Sequence, residues 1–187
     1  MQHEFYHQYT TDEHTLVGIQ KLDQVWAATA EPSNRYTEIF QSLDKPYILY
    51  LALLLHDSGK AYHGGRHEET GSRLAHRVAR RLGLDGKTTH TLSVVIECHL
   101  VMAQVSQRRD LEDSTVIRNF AHQIQSSENL VILTLHTFAD SMGTSDQLWN
   151  GFKDSLLWTL YHKARQVLDG GTDFIRAEAR QRELLAQ

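Results

Sequence analysis

Apolar residues recur along this chain at intervals of three and four rather than two, the spacing that lines one face of an α-helix. The first such stretch opens at Thr10, in capping-box spacing with Glu13, and carries Leu16, Ile19, Leu22, Val25 and Trp26 before it stops near Glu31-Pro32-Ser33-Asn34. A short helix from about Arg35 to Leu43 follows. Asp44 and Pro46 then introduce an uninterrupted apolar run from Tyr47 to Leu55, read as a buried helix that ends at His56-Asp57-Ser58-Gly59. The segment Lys60 to Arg66, with Gly64-Gly65, reads as a loop over that helix end, and a helix from His67 to Leu82 with Gly83 as its C-cap comes next.

Beyond it, Thr88 to Ala103 is expected to form one amphipathic helix and Val105 to Asp113 a charged loop. Ser114 to Gln125 and Glu128 to Met142 read as two more helices. A long one from Ser145 to about Leu168 stops at Gly170-Gly171 and leaves a polar final helix from Asp173. The two prolines, Pro32 and Pro46, both fall where the helical period is interrupted. With no internal repeat, no low-complexity tract and no period-2 strand, the fold class is all-α. The length of 187 residues fits one domain over residues 1–169, with residues 170–187 as a helical extension.

Composition narrows the setting. Hydrophobic residues make up 41% of the chain and the mean hydropathy is -0.43, while the longest apolar run falls far short of the roughly 20 residues a membrane span needs. The opening Met-Gln-His-Glu does not resemble a signal peptide, and a lone cysteine, Cys98, precludes an intramolecular disulfide, so a reducing cytoplasm is the expected setting. A net charge of -4 gives no overall attraction to nucleic acid or to an anionic membrane, and neither is expected as a partner. Arg73, Arg77, Arg80 and Arg81 form a basic stripe with no interleaved aromatics, which reads as a solvated face.

The chemistry gathers at histidines and aspartates set among apolar neighbours. His56-Asp57 ends the apolar run, where polar side chains are costly to bury unless something satisfies them, and a metal ion is the leading candidate. His14 shares a stripe with Val17, Leu22 and Val25; His99 follows Leu92, Val95 and Ile96; Asp140 follows Leu133, His136 and Thr137. A single histidine on such a face is readily a hydrogen-bonded core residue, but a buried carboxylate needs a compensating charge or metal. Adjacent His and Asp point about 100° apart on a helix, so a site requires ligands from distant segments.

In order and surroundings, His14, His56-Asp57 and Asp140 resemble the HD superfamily of metal-dependent phosphohydrolases. Further motifs bring the resemblance closer to the HD domain of the bacterial PII uridylyltransferase/uridylyl-removing enzymes. They run from Tyr9 to Leu16, from Leu55 to Lys60 with Gly64-Gly65-Arg66-His67, and through His99-Leu100-Val101-Met102, Gln107-Arg108-Arg109-Asp110, Phe138-Ala139-Asp140 and Leu148-Trp149-Asn150-Gly151-Phe152-Lys153. The resemblance implies a helical HD bundle with a metal site at its centre, held by His14, His56, Asp57 and Asp140. Asp57 would bridge to a second ion near His67 and His99. The chain departs from the family in having Cys98-His99 where two histidines commonly adjoin. Its loop from His56 to His67 is also longer by about one residue than in those enzymes. The nucleotidyltransferase and regulatory domains that flank this region in the family lie outside the 187 residues, so the chain is a standalone homologue or a piece of a larger enzyme.

The resemblance further implies a phosphodiesterase that uses a metal-bound hydroxide and, more narrowly, one removing UMP from a PII-type protein. A small-nucleotide phosphohydrolase and a catalytically silent regulatory module are the alternatives. The mixed imidazole and carboxylate set suits one or two ions of Mn²⁺, Fe²⁺, Co²⁺, Ni²⁺ or Zn²⁺ better than Mg²⁺. Asp57 and Lys60 are the candidate catalytic residues, and Lys60, Arg108 and Arg109 the candidates for binding substrate phosphate, against the alternative of solvated surface charges. His63 and His136 fall near the expected site as supporting groups. His3, His7, His90, His122 and His162 have no evident partner set.

Overall fold

The computed structural model describes residues 10–31, 33–61, 67–145 and 149–170, with the side chains of Thr11, Lys60, Ala61, His67, Glu68 and Glu69 set aside. Those residues contain nine α-helices and no strand, so the all-α expectation is borne out. The helices are α1 (Thr11–Trp26), α2 (Ser33–Gln41), α3 (Tyr47–Leu55), α4 (His67–Leu82), α5 (Gly86–Cys98), α6 (Val101–Arg108), α7 (Ser114–Ile124), α8 (Ser127–Thr144) and α9 (Gly151–Asp169), with a short 3-10 turn over Ser58–Ala61. The expected final helix from Asp173 lies outside the described residues, as do His3, His7, His63, Gly64-Gly65 and Leu148. No helix among the described residues is long and apolar enough to cross a membrane.

Helix α8 is the axis of the bundle. Every residue from Asn129 to Ala139 is buried, which is how a helix behaves when neighbours cover all its faces. Helices α1, α2, α3, α5, α6 and α9 all pack against it. The crossing with α1 is the tightest, because both helices present glycine there: a Cβ on Gly143 would lie 2.9 Å from the carbonyl oxygen of His14 and 3.0 Å from the amide nitrogen of Gly18. Backbone meets backbone at this point, and the close approach sets the first turn of α1 against the last turns of α8. Leu22 and Val25 of α1 enter the core as expected, whereas Leu16 and Trp26 face outward, at 64% and 45% exposure.

Several helix boundaries differ from the sequence reading. Helix α4 begins and ends where expected, closed by Gly83 in the left-handed conformation (φ +68). The single helix expected from Thr88 to Ala103 is two, broken at His99-Leu100, and α6 runs on through Arg108 where a loop was expected. The backbone stays near helical values across the break, so the hydrophobic period continues through it. Helix α9 starts at Gly151 rather than Ser145, because the Asn150 side chain accepts a hydrogen bond from the Lys153 amide and caps it there. The capping box at Thr10 does not form. The Thr10 hydroxyl instead helps hold the Asp12 carboxyl below the usual aspartate range.

Candidate metal centre

Four helices deliver the site. Its floor is α8, from which Asp140 projects; α1 brings His14 from one side, and the C-terminal ends of α3 and α5 bring His56 and His99. Asp140 Oδ1 lies 2.7 Å from His14 Nε2 and 3.1 Å from His56 Nε2. One donor atom each from His14, His56 and Asp140 fits within a mutual spacing of 4.8 Å. Donors held about 2.1 Å from one ion stand about 3.0–3.4 Å apart at cis-octahedral or tetrahedral angles, so two imidazoles and a carboxylate at these distances fit a transition-metal ion with little movement. This cluster can bind a metal ion. His14 and His56 are buried, and Asp140 keeps 20% of its side chain accessible.

The rings are oriented by their own helices. His56 Nδ1 lies 2.7 Å from the carbonyl oxygen of Leu53, and His99 Nδ1 lies at the same distance from that of Ile96. Each histidine thus closes a helix by turning Nδ1–H back onto the carbonyl three residues earlier, which leaves Nε2 as the nitrogen that can accept a cation. The shared local pattern, a histidine three residues after an aliphatic one at the end of an apolar run, is visible in the sequence once its consequence is known. The two rings meet edge to face with centroids 5.3 Å apart.

Charge is concentrated at one point. Burial opposes protonation of His14, but the hydrogen bond and charge of Asp140, with the backbone of Gly143, outweigh it and raise its pKa above the usual value. His56 follows the same balance: burial lowers its pKa, while Asp140 and then Asp57 raise it further than burial depresses it. Burial likewise opposes ionisation of Asp140, yet the two imidazoles hold its carboxyl well below the usual range. The geometry therefore draws positive charge to the space between these groups. Burial lowers the pKa values of His99 and His136 below that of a free imidazole, which favours the neutral form.

The remaining expected residues are placed unequally. Asp57 is buried beside the cluster, its Oδ2 3.5 Å from His56 Nε2. The side chains of Lys60 and His67 lie outside the described residues, although the backbone puts Lys60 in the 3-10 turn just past Asp57 and His67 at the start of α4. Arg108 and Arg109 are exposed at the C-terminal end of α6, whose 8 residues carry the chain about 12 Å along the helix axis from the His99 end. Cys98 turns away from the centre toward Gln123 of α7, and burial pushes its thiol up to about 11, which makes it an inert core group rather than a thiolate ligand. His136 is fully buried against His56 and His99. His90 contacts Gln125, and His162 packs on Trp158 and Tyr161, both away from the cluster.

No family model matches the chain. Among curated proteins it is similar to the bifunctional uridylyltransferase/uridylyl-removing enzyme of Bordetella avium (strain 197N), with 37% identity over 190 residues, and to those of Burkholderia mallei (strain SAVP1) and Burkholderia pseudomallei (strain 668), with 36% identity over 191 residues each. Each match covers 100% of the chain and 22% of the relative, so the chain spans about a fifth of the length of the enzymes it matches. The resemblance drawn from its motifs is borne out: the chain is homologous, along its whole length, to a part of these enzymes.

Proposed function

We propose that this homologue of part of the bifunctional uridylyltransferase/uridylyl-removing enzymes is a metal-dependent phosphodiesterase that removes UMP from a uridylylated protein of the PII type. One observation carries the reading. His14, His56 and Asp140, from three helices far apart in sequence, converge within 4.8 Å in a chain that aligns end to end with enzymes named for uridylyl removal. Buried groups of this kind are costly to assemble without a task that uses them.

His14, His56, Asp57 and Asp140 would hold the first cation, and Asp57 with His67 and His99 a second. When bound, such an ion lowers the pKa of water toward neutrality and offsets negative charge gathering on phosphate oxygens. The protein's own contributions are separable from that. The Leu53 and Ile96 carbonyls keep Nδ1 of His56 and His99 engaged, so both rings present Nε2 without a tautomer change. A phosphodiester would reach the centre from the side on which Asp140 is partly accessible. Lys60, which follows Asp57 by three residues, would neutralise a phosphoryl oxygen; Arg108 and Arg109 would engage a more distant part of the substrate. In the reaction the oxygen of water attacks phosphorus, the bond from phosphorus to the tyrosyl oxygen breaks, and the phenol recovers a proton as UMP departs.

The test is turnover of bis-p-nitrophenyl phosphate, p-nitrophenyl phosphate and a uridylylated PII protein with Mn²⁺, Fe²⁺, Co²⁺, Ni²⁺ and Zn²⁺ in turn. Expected are hydrolysis of the diester and of the protein substrate, little action on the monoester, and loss of both activities in Asp57→Ala. A protein that binds metal yet cleaves none of these would be a regulatory module instead, and preference for the monoester would point to a nucleotide phosphatase.

A further inference from the structure

His136 is the most deeply buried titratable group near the centre, with no exposed surface, and neither of its ring nitrogens has a hydrogen-bond partner among the described residues. It precedes Asp140 by four residues on α8, so the two lie on one face of that helix, one above the other. Its ring meets His56 of α3 edge to face at a centroid distance of 5.0 Å, and His99 of α5 at 6.1 Å. From the elements packed around it, the titratable groups that act on it are His56, Asp140, His99 and His14. The threonines on its helix do not compensate: the Thr134 hydroxyl donates to the Leu130 carbonyl, and the buried Thr137 hydroxyl makes no hydrogen bond to His136.

An imidazole left this way is expensive. Burying a donor and an acceptor without partners forfeits their hydration with nothing in return, and leucine would fill a position between Leu135 and Thr137 in the core of α8 at no such cost. Cys98, also buried beside the centre, shows the contrast: its polar atom faces another helix and behaves as an ordinary core group.

We propose that His136 belongs to the cation centre as an additional nitrogen donor on its deep side, and biases the site toward borderline transition ions over Mg²⁺. The inference rests on the reading that His14, His56 and Asp140 hold a cation. It adds a donor that the motif resemblance does not assign, and it accounts for a buried polar ring with no hydrogen-bond partner among the described residues. His136 lies outside the 4.8 Å cluster of His14, His56 and Asp140, so its ring would turn toward an ion held there, which would supply the partner that the described residues do not.

The experiment compares wild type, His136→Leu and His136→Gln as purified full chains, stripped of metal and titrated with Co²⁺ and with Mg²⁺ by calorimetry. Thermal unfolding of the stripped proteins and the visible spectrum of the Co²⁺ forms are recorded in parallel. In the stripped state His136→Leu should unfold at or above the wild-type temperature, because an unsatisfied group has been removed. Its Co²⁺ affinity should nonetheless fall about 10-fold or more, with a changed ligand-field spectrum and a smaller preference for Co²⁺ over Mg²⁺. His136→Gln, which keeps a polar donor, should fall in between and covers the case in which leucine misfolds. Wild-type affinity and an unchanged spectrum in both variants would make His136 a core residue and overturn the proposal. If wild type itself takes up no Co²⁺, the cation reading fails first, a result distinguishable because it does not involve His136.

Discussion

Substituting Gly143 by alanine tests how the helix crossing builds the centre. The added carbon would sit 2.9 Å from the His14 carbonyl oxygen, 3.0 Å from the Gly18 nitrogen and 3.1 Å from the Gly18 Cα, all backbone atoms that cannot rotate aside. Ordinary contact begins near 3.4 Å, so α1 must move away from α8 by about 0.5 Å, and it takes His14 with it. Overpacking of this kind costs about 1–3 kcal/mol, set against a gain in helix propensity of about 0.8–1 kcal/mol. Gly86→Ala in α5 makes the same chemical change with nothing within 4 Å of the new carbon and serves as the control. Gly143→Ala should therefore melt below Gly86→Ala by about 2–12 °C in a chain of this size. The displacement also stretches the 2.7 Å contact between His14 and Asp140, and metal affinity should fall severalfold, because a binding constellation tolerates only about 0.5 Å of error. Equal melting temperatures and equal metal affinities for the two variants would refute the idea that this crossing positions His14.

Other expectations follow from contacts away from the centre. The Tyr36 hydroxyl donates to the buried Asp154 carboxylate at 2.6 Å, so Tyr36→Phe should destabilise the chain by about 1–3 kcal/mol in thermal melts while leaving metal content unchanged. The Asp85 carboxyl is held below the ordinary 3.8 by the Thr88 amide, the Lys45 ammonium and the Thr88 hydroxyl. Its stabilisation is thus present above pH 3.8 and lost as pH falls through the lower folded value; Asp85→Asn should be less stable than wild type at pH 7, with the gap closing in melts below pH 3.8. Cys98, with its thiol pushed up to about 11 by burial, should react with a disulfide reagent at pH 8 only after denaturant is added; rapid labelling of the native chain would contradict its placement.

The sequence is informative where side-chain type decides the outcome locally. The apolar run before His56 is helix as expected but only partly buried, with Ile48, Leu49, Ala52 and Leu53 in the core and Tyr47 and Leu54 exposed, and Gly83 closes α4 because its left-handed backbone suits glycine. His14, His56 and Asp140 were legible as partners because each polar group stands on an apolar face. The break at His99-Leu100 was not legible, since both residues keep near-helical angles and the period runs through them; the side chain that turns back to Ile96 is a tertiary detail. Nor does a hydrophobic pattern reveal that Leu16 faces outward, because the seating of α1 depends on how closely glycine lets it approach α8. The burial of His136 against two other imidazoles depends on three helices meeting, information that no single helix carries.

The central claim, that His14, His56 and Asp140 hold a catalytic cation, is tested most directly by anomalous diffraction from crystals of the full chain saturated with Mn²⁺ or Co²⁺. The expected result is a peak about 2.0–2.3 Å from His14 Nε2, His56 Nε2 and an oxygen of Asp140, absent in Asp140→Asn. A peak elsewhere, or an Asp140 carboxylate still hydrogen-bonded to His14 at 2.7 Å with no ion between them, would contradict it.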